Sequence, residues 1–165
     1  MSTIIRSRTG LPFPPGRIWE LLADPAVIEG RTAGHAGLGA TVLGHRFDGA
    51  DVMAIDTMGT MPSWWLPPVI AGRAEGHMPS VHRTETWHRT GPHALDGRMS
   101  FTIRGVDAAS AEGWMRVRGS ETGGELHQEI TIAVRFPLLG GLIERSLAGR
   151  IRQSLAAEGD YLAHQ

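Results

Sequence analysis

Glu85 and Trp87 stand two residues apart in Val81-His82-Arg83-Thr84-Glu85-Thr86-Trp87-His88, a run that reads as a strand. Residues two apart on a strand share a face. Val81, Arg83, Glu85 and Trp87 therefore form one side, and His82, Thr84, Thr86 and His88 the other. Neither side is purely apolar, so one of them brings polar groups toward the interior. A carboxylate beside an indole in a dry cavity would orient a ligand, or would act as acid or base with a raised pKa. The plainer reading pairs Glu85 with Arg83 or a neighbouring arginine on the solvent face.

Two further side chains could take part in chemistry. Gln128 interrupts an otherwise apolar strand face and is either a hydrogen-bonding group in a pocket or a solvated residue near a strand end. Glu158 falls on the apolar stripe of a C-terminal helix, where it either points at a cavity mouth or is solvated as the helix frays. His77, His82, His88 and His93 resemble a metal cluster, but the spacing argues against one. His82 and His88 share a face about 20 Å apart, at ~3.3 Å per residue, whereas metal ligands converge within ~2.1 Å of the ion. No metal and no cofactor is expected. Gly119-Ser120-Glu121 lacks the G-x-S-x-G elbow, and Gly34 to Gly39 does not fit G-x-G-x-x-G between a strand and a helix. The catalytic candidates are Glu85, His82 and Gln128, and whether there is catalysis stays open.

Trp64-Trp65 stands in the segment from Gly59 to Gly72, where Met61, Leu66, Val69 and Ile70, with Met58 just before it, crowd apolar surface into a proline-rich connection. Connections of this length are normally polar, and long ones are often lids or binding loops. The segment is read either as a flap over a cavity mouth or as a satellite core or dimer contact. Trp114 shares a strand face with Arg116 and Arg118, and either meets a ligand or stacks on those arginines.

Composition narrows the classes. The chain has 165 residues and a formal net charge of −1, so no basic excess draws it to nucleic acid. There is no Cys, which excludes disulfides, thiolate metal sites and cysteine nucleophiles. There is no Lys, which excludes a Schiff-base lysine and a P-loop. All sixteen basic residues are Arg, and Asn is absent, the usage of a GC-rich genome. No apolar run approaches the ~20 residues that span a bilayer. The first nine residues carry Arg6 and Arg8 without an apolar stretch and do not read as a signal peptide. A cytoplasmic location without stable membrane insertion is the expectation.

The elements that must position these residues are legible in the pattern. Ile4 to Thr9 reads as a strand, and Pro14-Pro15 opens a helix from about Arg17 to Ala23. Asp24-Pro25 caps a second short helix to about Arg31. Strands follow at Thr41 to Phe47, Val52 to Met58, Val81 to His88, Leu95 to Arg104, Ala109 to Gly119 and Leu126 to Phe136. Leu95, Gly97, Met99, Phe101 and Ile103 alternate with polar residues, as do Leu126, Gln128, Ile130, Ile132 and Val134. After Pro137 the period becomes helical: Leu139, Ile143, Leu147, Ile151 and Leu155 fall four apart, with Leu142 and Leu162 beside them. Consecutive strands on short turns pair antiparallel, and a sheet with one apolar face needs a cover. The expected class is α+β in a single domain over 1–165: about seven strands, two short helices after the first, and a long C-terminal helix across the sheet.

That order resembles the helix-grip fold of the START-related and birch-pollen-allergen-like superfamily, which includes polyketide cyclases and lipid-transfer proteins. Three stretches look like an uncharacterised bacterial family within it: Phe13-Pro14-Pro15-x-x-Ile18-Trp19-x-Leu21-Leu22-x-Asp24-Pro25, Glu85-Thr86-Trp87, and Val134-Arg135-Phe136-Pro137-Leu138-Leu139-Gly140-Gly141-Leu142-Ile143-Glu144. The segment from 59 to 79 departs from the pattern, standing where many members have a tight hairpin. The resemblance implies a cavity between sheet and helix that holds a lipid-like or aromatic molecule, and no fixed catalytic residues. Its lining is expected from Trp64, Trp65, Glu85, Trp87, Met99, Phe101, Met115, Gln128, Ile130, Leu147 and Ile151.

Three functions are compatible with this reading. The first is a module that binds a hydrophobic small molecule, with a homodimer as one form of assembly. The second is a cyclase- or dehydratase-like enzyme in which Glu85, His82 or Gln128 steers a proton. The third is an interaction domain whose cavity is filled by its own side chains.

Overall fold

A computed structural model of the chain describes residues 2–33, 39–61, 65, 68, 79–104 and 109–165. Strand β1 (Ser2–Leu11) is followed by helices α1 (Pro15–Leu22) and α2 (Pro25–Ala33). Six strands come next: β2 (Thr41–Asp48), β3 (Val52–Thr60), β4 (Ser80–Gly91), β5 (Ala94–Arg104), β6 (Ala109–Gly119) and β7 (Gly124–Val134). Helix α3 (Gly140–Ala163) ends the chain. Among the described residues, no helix is long and apolar enough to cross a membrane.

The strands form one antiparallel sheet in the order β1-β7-β6-β5-β4-β3-β2. From β2 to β7 the chain meanders, and β1 joins at the far edge beside β7. The sheet curves, and α3 crosses its concave side along β1 and β7 and meets α2. Proline opens α1, where its missing N–H costs nothing, and Ile18, Leu21 and Leu22 go into the core. Asp24 caps α2: its Oδ1 accepts a hydrogen bond from the Ala26 N–H at 2.9 Å. At 24 residues α3 is about 36 Å long, at ~1.5 Å per residue, enough to cross the sheet. Its first turn is pinned by Glu144, which accepts hydrogen bonds from the Val134 N–H at 3.0 Å and the Thr3 hydroxyl at 3.2 Å. Farther along, Gly159 lets the helix lie on β1, because a side chain there would collide with Thr9.

Register stacks the inward residues into rows across the sheet. One row runs Met53, Trp87, Gly97, Met115, Gln128. The next runs Ile55, Glu85, Met99, Gly113, Ile130, Ile5. A third runs Thr57, Arg83, Phe101, Ala111, Ile132. Beyond it Gly59 pairs with Val81 and Val81 with Ile103, and Ala109 pairs with Val134, as a fourth row. The first two rows are mostly buried. Trp87 fits its row because its partner is glycine: a Cβ on Gly97 would sit 2.9 Å from the indole Cε3 and 3.0 Å from Met115 Cε.

The expected class and element order are observed, with longer elements at several ends, while β7 stops at Val134 rather than Phe136 and α1 at Leu22 rather than Ala23. β1 covers all of Ser2–Leu11 because each of its residues finds a partner on β7. Leu142, expected beside the helix stripe, is 58% exposed; it lies on the outer side of the first turn of α3.

Candidate functional site

Four buried charged side chains meet where α2, β4 and α3 converge. Arg31, Arg83, Glu85 and Glu158 are each 5% exposed or less. Arg31 comes from the last turn of α2. That helix sits close to α3 because Gly30 faces the Tyr161 ring, which any side chain at position 30 would strike. Arg83 and Glu85 are inward on β4, and Glu158 enters from α3, one turn after Ser154.

Glu85 is held from three sides. Arg31 donates from Nη2 to Oε1 at 2.6 Å, and the Trp87 indole N–H donates to Oε2 at 2.8 Å. Arg83 Nε lies 2.7 Å from Oε1, an ion-pair contact off the N–H direction. Arg83 also donates from Nη1 to both oxygens of Glu158, at 2.7 and 2.8 Å. Arg31 Nη1 stands 3.9 Å from Glu158 Oε2, and the Ser154 hydroxyl donates to Oε1 at 3.5 Å. The two guanidiniums and two carboxylates compensate one another. Burial alone would raise the Glu85 pKa, but the charges of Arg31 and Arg83 and the hydrogen bonds from Arg31 and Trp87 pull it down to about 2. Burial likewise works against the charge on Arg83, yet Glu158 and Glu85 raise its pKa above the ordinary arginine value.

Beside this network the sheet and α3 do not meet. A cavity of about 70 Å³ remains, room for about two waters at ~30 Å³ each. Its wall is mostly apolar: Val81, Phe101, Ile103 and Ile132 come from the sheet, Leu147, Ile151 and Leu155 from α3, and Met61 and Trp65 join them. The small residues Gly59, Ala109 and Ala111 of the third and fourth rows are among those that line it. Arg83, Glu158, Ser154, Thr32 and Thr57 supply the polar part of the wall. The guanidinium of Arg83 lies 5.2 Å from the centre of the Phe101 ring, which joins the polar and apolar parts.

The expected lining is distributed unevenly. Trp65, Phe101, Leu147 and Ile151 line the cavity. Trp64 and His77 lie outside the described residues, as does most of the segment between Met61 and Pro79, whose ends meet through the Met61 N–H and the Pro79 carbonyl at 2.7 Å. Trp87, Met99, Met115, Gln128 and Ile130 are buried but do not line the cavity, because they belong to the first two rows. Glu85 is one row removed from it and supports the wall through Arg83.

The three catalytic candidates are not assembled at one place. His82 is on the outer face of β4, 29% exposed at its side chain and 3.9 Å from Asp56. Alternation along β4 forces this once Arg83 and Glu85 face inward. Gln128 lies within the sheet rather than at a strand end, and its Oε1 is buried without a partner. Glu85 carries no raised pKa. Trp114 lies under the guanidinium of Arg116 at 4.6 Å and does not line the cavity. Among the described residues, no three histidine or acidic side chains gather as a metal site would require.

The sequence offered Arg83 as a partner of Glu85, though on the solvent face rather than buried, and the cavity mouth as one place for Glu158, whereas the roles of Arg31 and of the Arg83–Glu158 pair were missed. The only local signal for Glu158 was its place on an apolar helix stripe. Arg31 looked like an ordinary cation in the last turn of a helix.

The fold is the helix-grip arrangement, a curved antiparallel sheet holding a long helix. The chain belongs to the family described as protein of unknown function (DUF2505), whose model matches residues 7–164. No curated protein matches it in sequence. Among solved structures it is similar to an uncharacterised protein from Rhizobium leguminosarum, with 9% identity, a TM-score of 0.57, and coverage of 100% of this chain and 97% of that one. A protein from Thermus thermophilus has 13% identity and a TM-score of 0.57, with 97% of each chain covered. Ara h 8.0201 has 9% identity and a TM-score of 0.50, with 100% of each chain covered. Identities this low speak to the fold alone.

Proposed function

We propose that this chain binds a small, largely apolar molecule, lipid-like or aromatic, in the cavity between the sheet and α3. The observation that carries this reading is the gap lined by Gly59, Ala109 and Ala111, beside rows that are mostly buried and do not line it. Interiors are normally close-packed, so a void with an apolar wall invites an occupant. Met61 and Trp65 belong to that wall and supply adaptable and flat contact surface. The cyclase-like alternative has less support. Its best acid or base, Glu85, stays ionised through the physiological range and is committed to Arg31, Arg83 and Trp87.

Native mass spectrometry of gently purified protein, followed by organic extraction, tests this. A discrete added mass that leaves on extraction is the expected result, and its composition names the ligand class. A bare polypeptide mass at every purification scale, together with no uptake of added apolar compounds, would set the reading aside in favour of an interaction domain.

A further inference from the structure

Leu138 is 104% exposed and Leu142 58%, the two most exposed large apolar side chains among the described residues. Both belong to one tight turn between β7 and α3. The Gly140 N–H donates to the Phe136 carbonyl at 2.9 Å, and the Leu142 N–H to the Leu139 carbonyl at 3.0 Å. Leu138 is held there at φ 65°, and among the described residues it is the one non-glycine with a positive φ. Glycine takes that backbone more easily, and a polar side chain meets water more easily, so folding alone does not account for a leucine at this point.

The exposed charges around the turn are of one sign. β7 ends here beside the start of β6, through Val134 and Ala109, and β5 ends here beside the start of β4, through Arg104 and Ser80. Arg104, Arg135 just past β7, and Arg145 in the second turn of α3 are all exposed. None of the three has an acidic partner among the described residues. The acid of the first turn, Glu144, is buried and accepts from the Val134 N–H and the Thr3 hydroxyl, so it does not offset them at the surface.

This combination restricts what covers the turn. Two leucines are too little apolar surface for a stable protein interface, which covers about 800 Å² on each partner. A bilayer needs only a small apolar anchor where charge adds to it. Leucines at a tip would enter the boundary between headgroups and acyl chains, and the arginines beside them would stay among anionic headgroups.

We propose that the β7–α3 turn is a peripheral contact for an anionic lipid bilayer, with Leu138 and Leu142 as its apolar anchor and Arg104, Arg135 and Arg145 as its charges. Val81, Ile103 and Ala109, which line the cavity, lie at this same end of the sheet, so the contact sets that end of the cavity toward lipid. The proposal goes beyond the ligand-binding reading and does not need an occupied cavity.

The test is co-sedimentation of the whole chain with vesicles of phosphatidylglycerol and phosphatidylcholine in equal parts, and with vesicles of phosphatidylcholine alone. The unaltered protein should pellet with the first and not with the second, and added salt should release it. Leu138→Gly should weaken binding about tenfold at an unchanged or raised urea midpoint, because glycine suits the positive φ. Arg135→Gln should weaken it about fivefold. Absence of binding to the mixed vesicles, equal binding to both kinds, or full binding by a folded Leu138→Gly protein would each overturn the proposal. Self-association that Leu138→Gly abolishes, without vesicle binding, would overturn it in favour of contact with a second copy of the chain. None of these outcomes bears on the co-purifying ligand, which native mass spectrometry reads separately.

Discussion

Arg83 and Glu158 are 75 residues apart in the chain, and Arg83 Nη1 sits 2.7 and 2.8 Å from the two oxygens of Glu158. This pair ties the middle of the sheet to the last turns of the long helix. Its burial makes it sensitive: taking two charges from water is expensive, and removing one leaves the other uncompensated. Glu158→Gln should lower stability by about 3–5 kcal/mol, read as a shift in urea midpoint at unchanged slope. A loss below about 1 kcal/mol would mean that Arg83 finds water or another acceptor.

A second expectation concerns acid. The Glu85 pKa is about 2 in the folded chain against an ordinary 4.5. A depressed folded value means that the stabilising contribution is present above about pH 4.5 and drains away as pH falls toward 2. The amount is on the order of 3 kcal/mol. Carboxyl ¹³C chemical shifts of labelled glutamates would follow it site by site. Glu85 should remain ionised at pH 3.5, and titration near 4.5 would show that the network does not hold it.

Trp87 gives a packing test. Gly97→Ala would place a methyl 2.9 Å from the indole Cε3 and 3.0 Å from Met115 Cε, inside a row with no slack. Overpacking of this kind costs about 1–3 kcal/mol. Thermal unfolding followed by tryptophan fluorescence would report both the loss and the displaced indole. Unchanged stability would show that Met115 yields freely.

These relationships explain how far the sequence could be read. Leu95 to Ile103 and Leu126 to Val134 announce their buried faces because one side is almost wholly apolar, and the β7 strand then fixes the partners of β1 and β6. β4 gives no such sign: its buried face carries Arg83 and Glu85, and only the opposing charges from α2 and α3 make that burial tolerable. Those partners are distant in sequence, so nothing local marks them. The cavity is hidden for a related reason. Gly59, Ala109 and Ala111 become one gap only when register lines up four strands, while Met99 and Met115, equally apolar and on neighbouring positions, fall in rows that do not line it.

That gap supplies the sharpest functional prediction. Ala111 faces the cavity between Phe101 and Ile132 in its row. Ala111→Leu would put an isobutyl group into the space that a ligand would use. Filling a real void adds apolar contact and often raises stability by ~0.5–2 kcal/mol, whereas forcing the same group into a packed site costs about 1–3 kcal/mol. The variant should therefore keep or gain stability and lose retention of any co-purifying apolar molecule in native mass spectrometry. Both readouts are needed together, because a destabilised variant would lose its ligand trivially. Full retention in a stable Ala111→Leu protein would place the ligand somewhere other than the space between the sheet and α3.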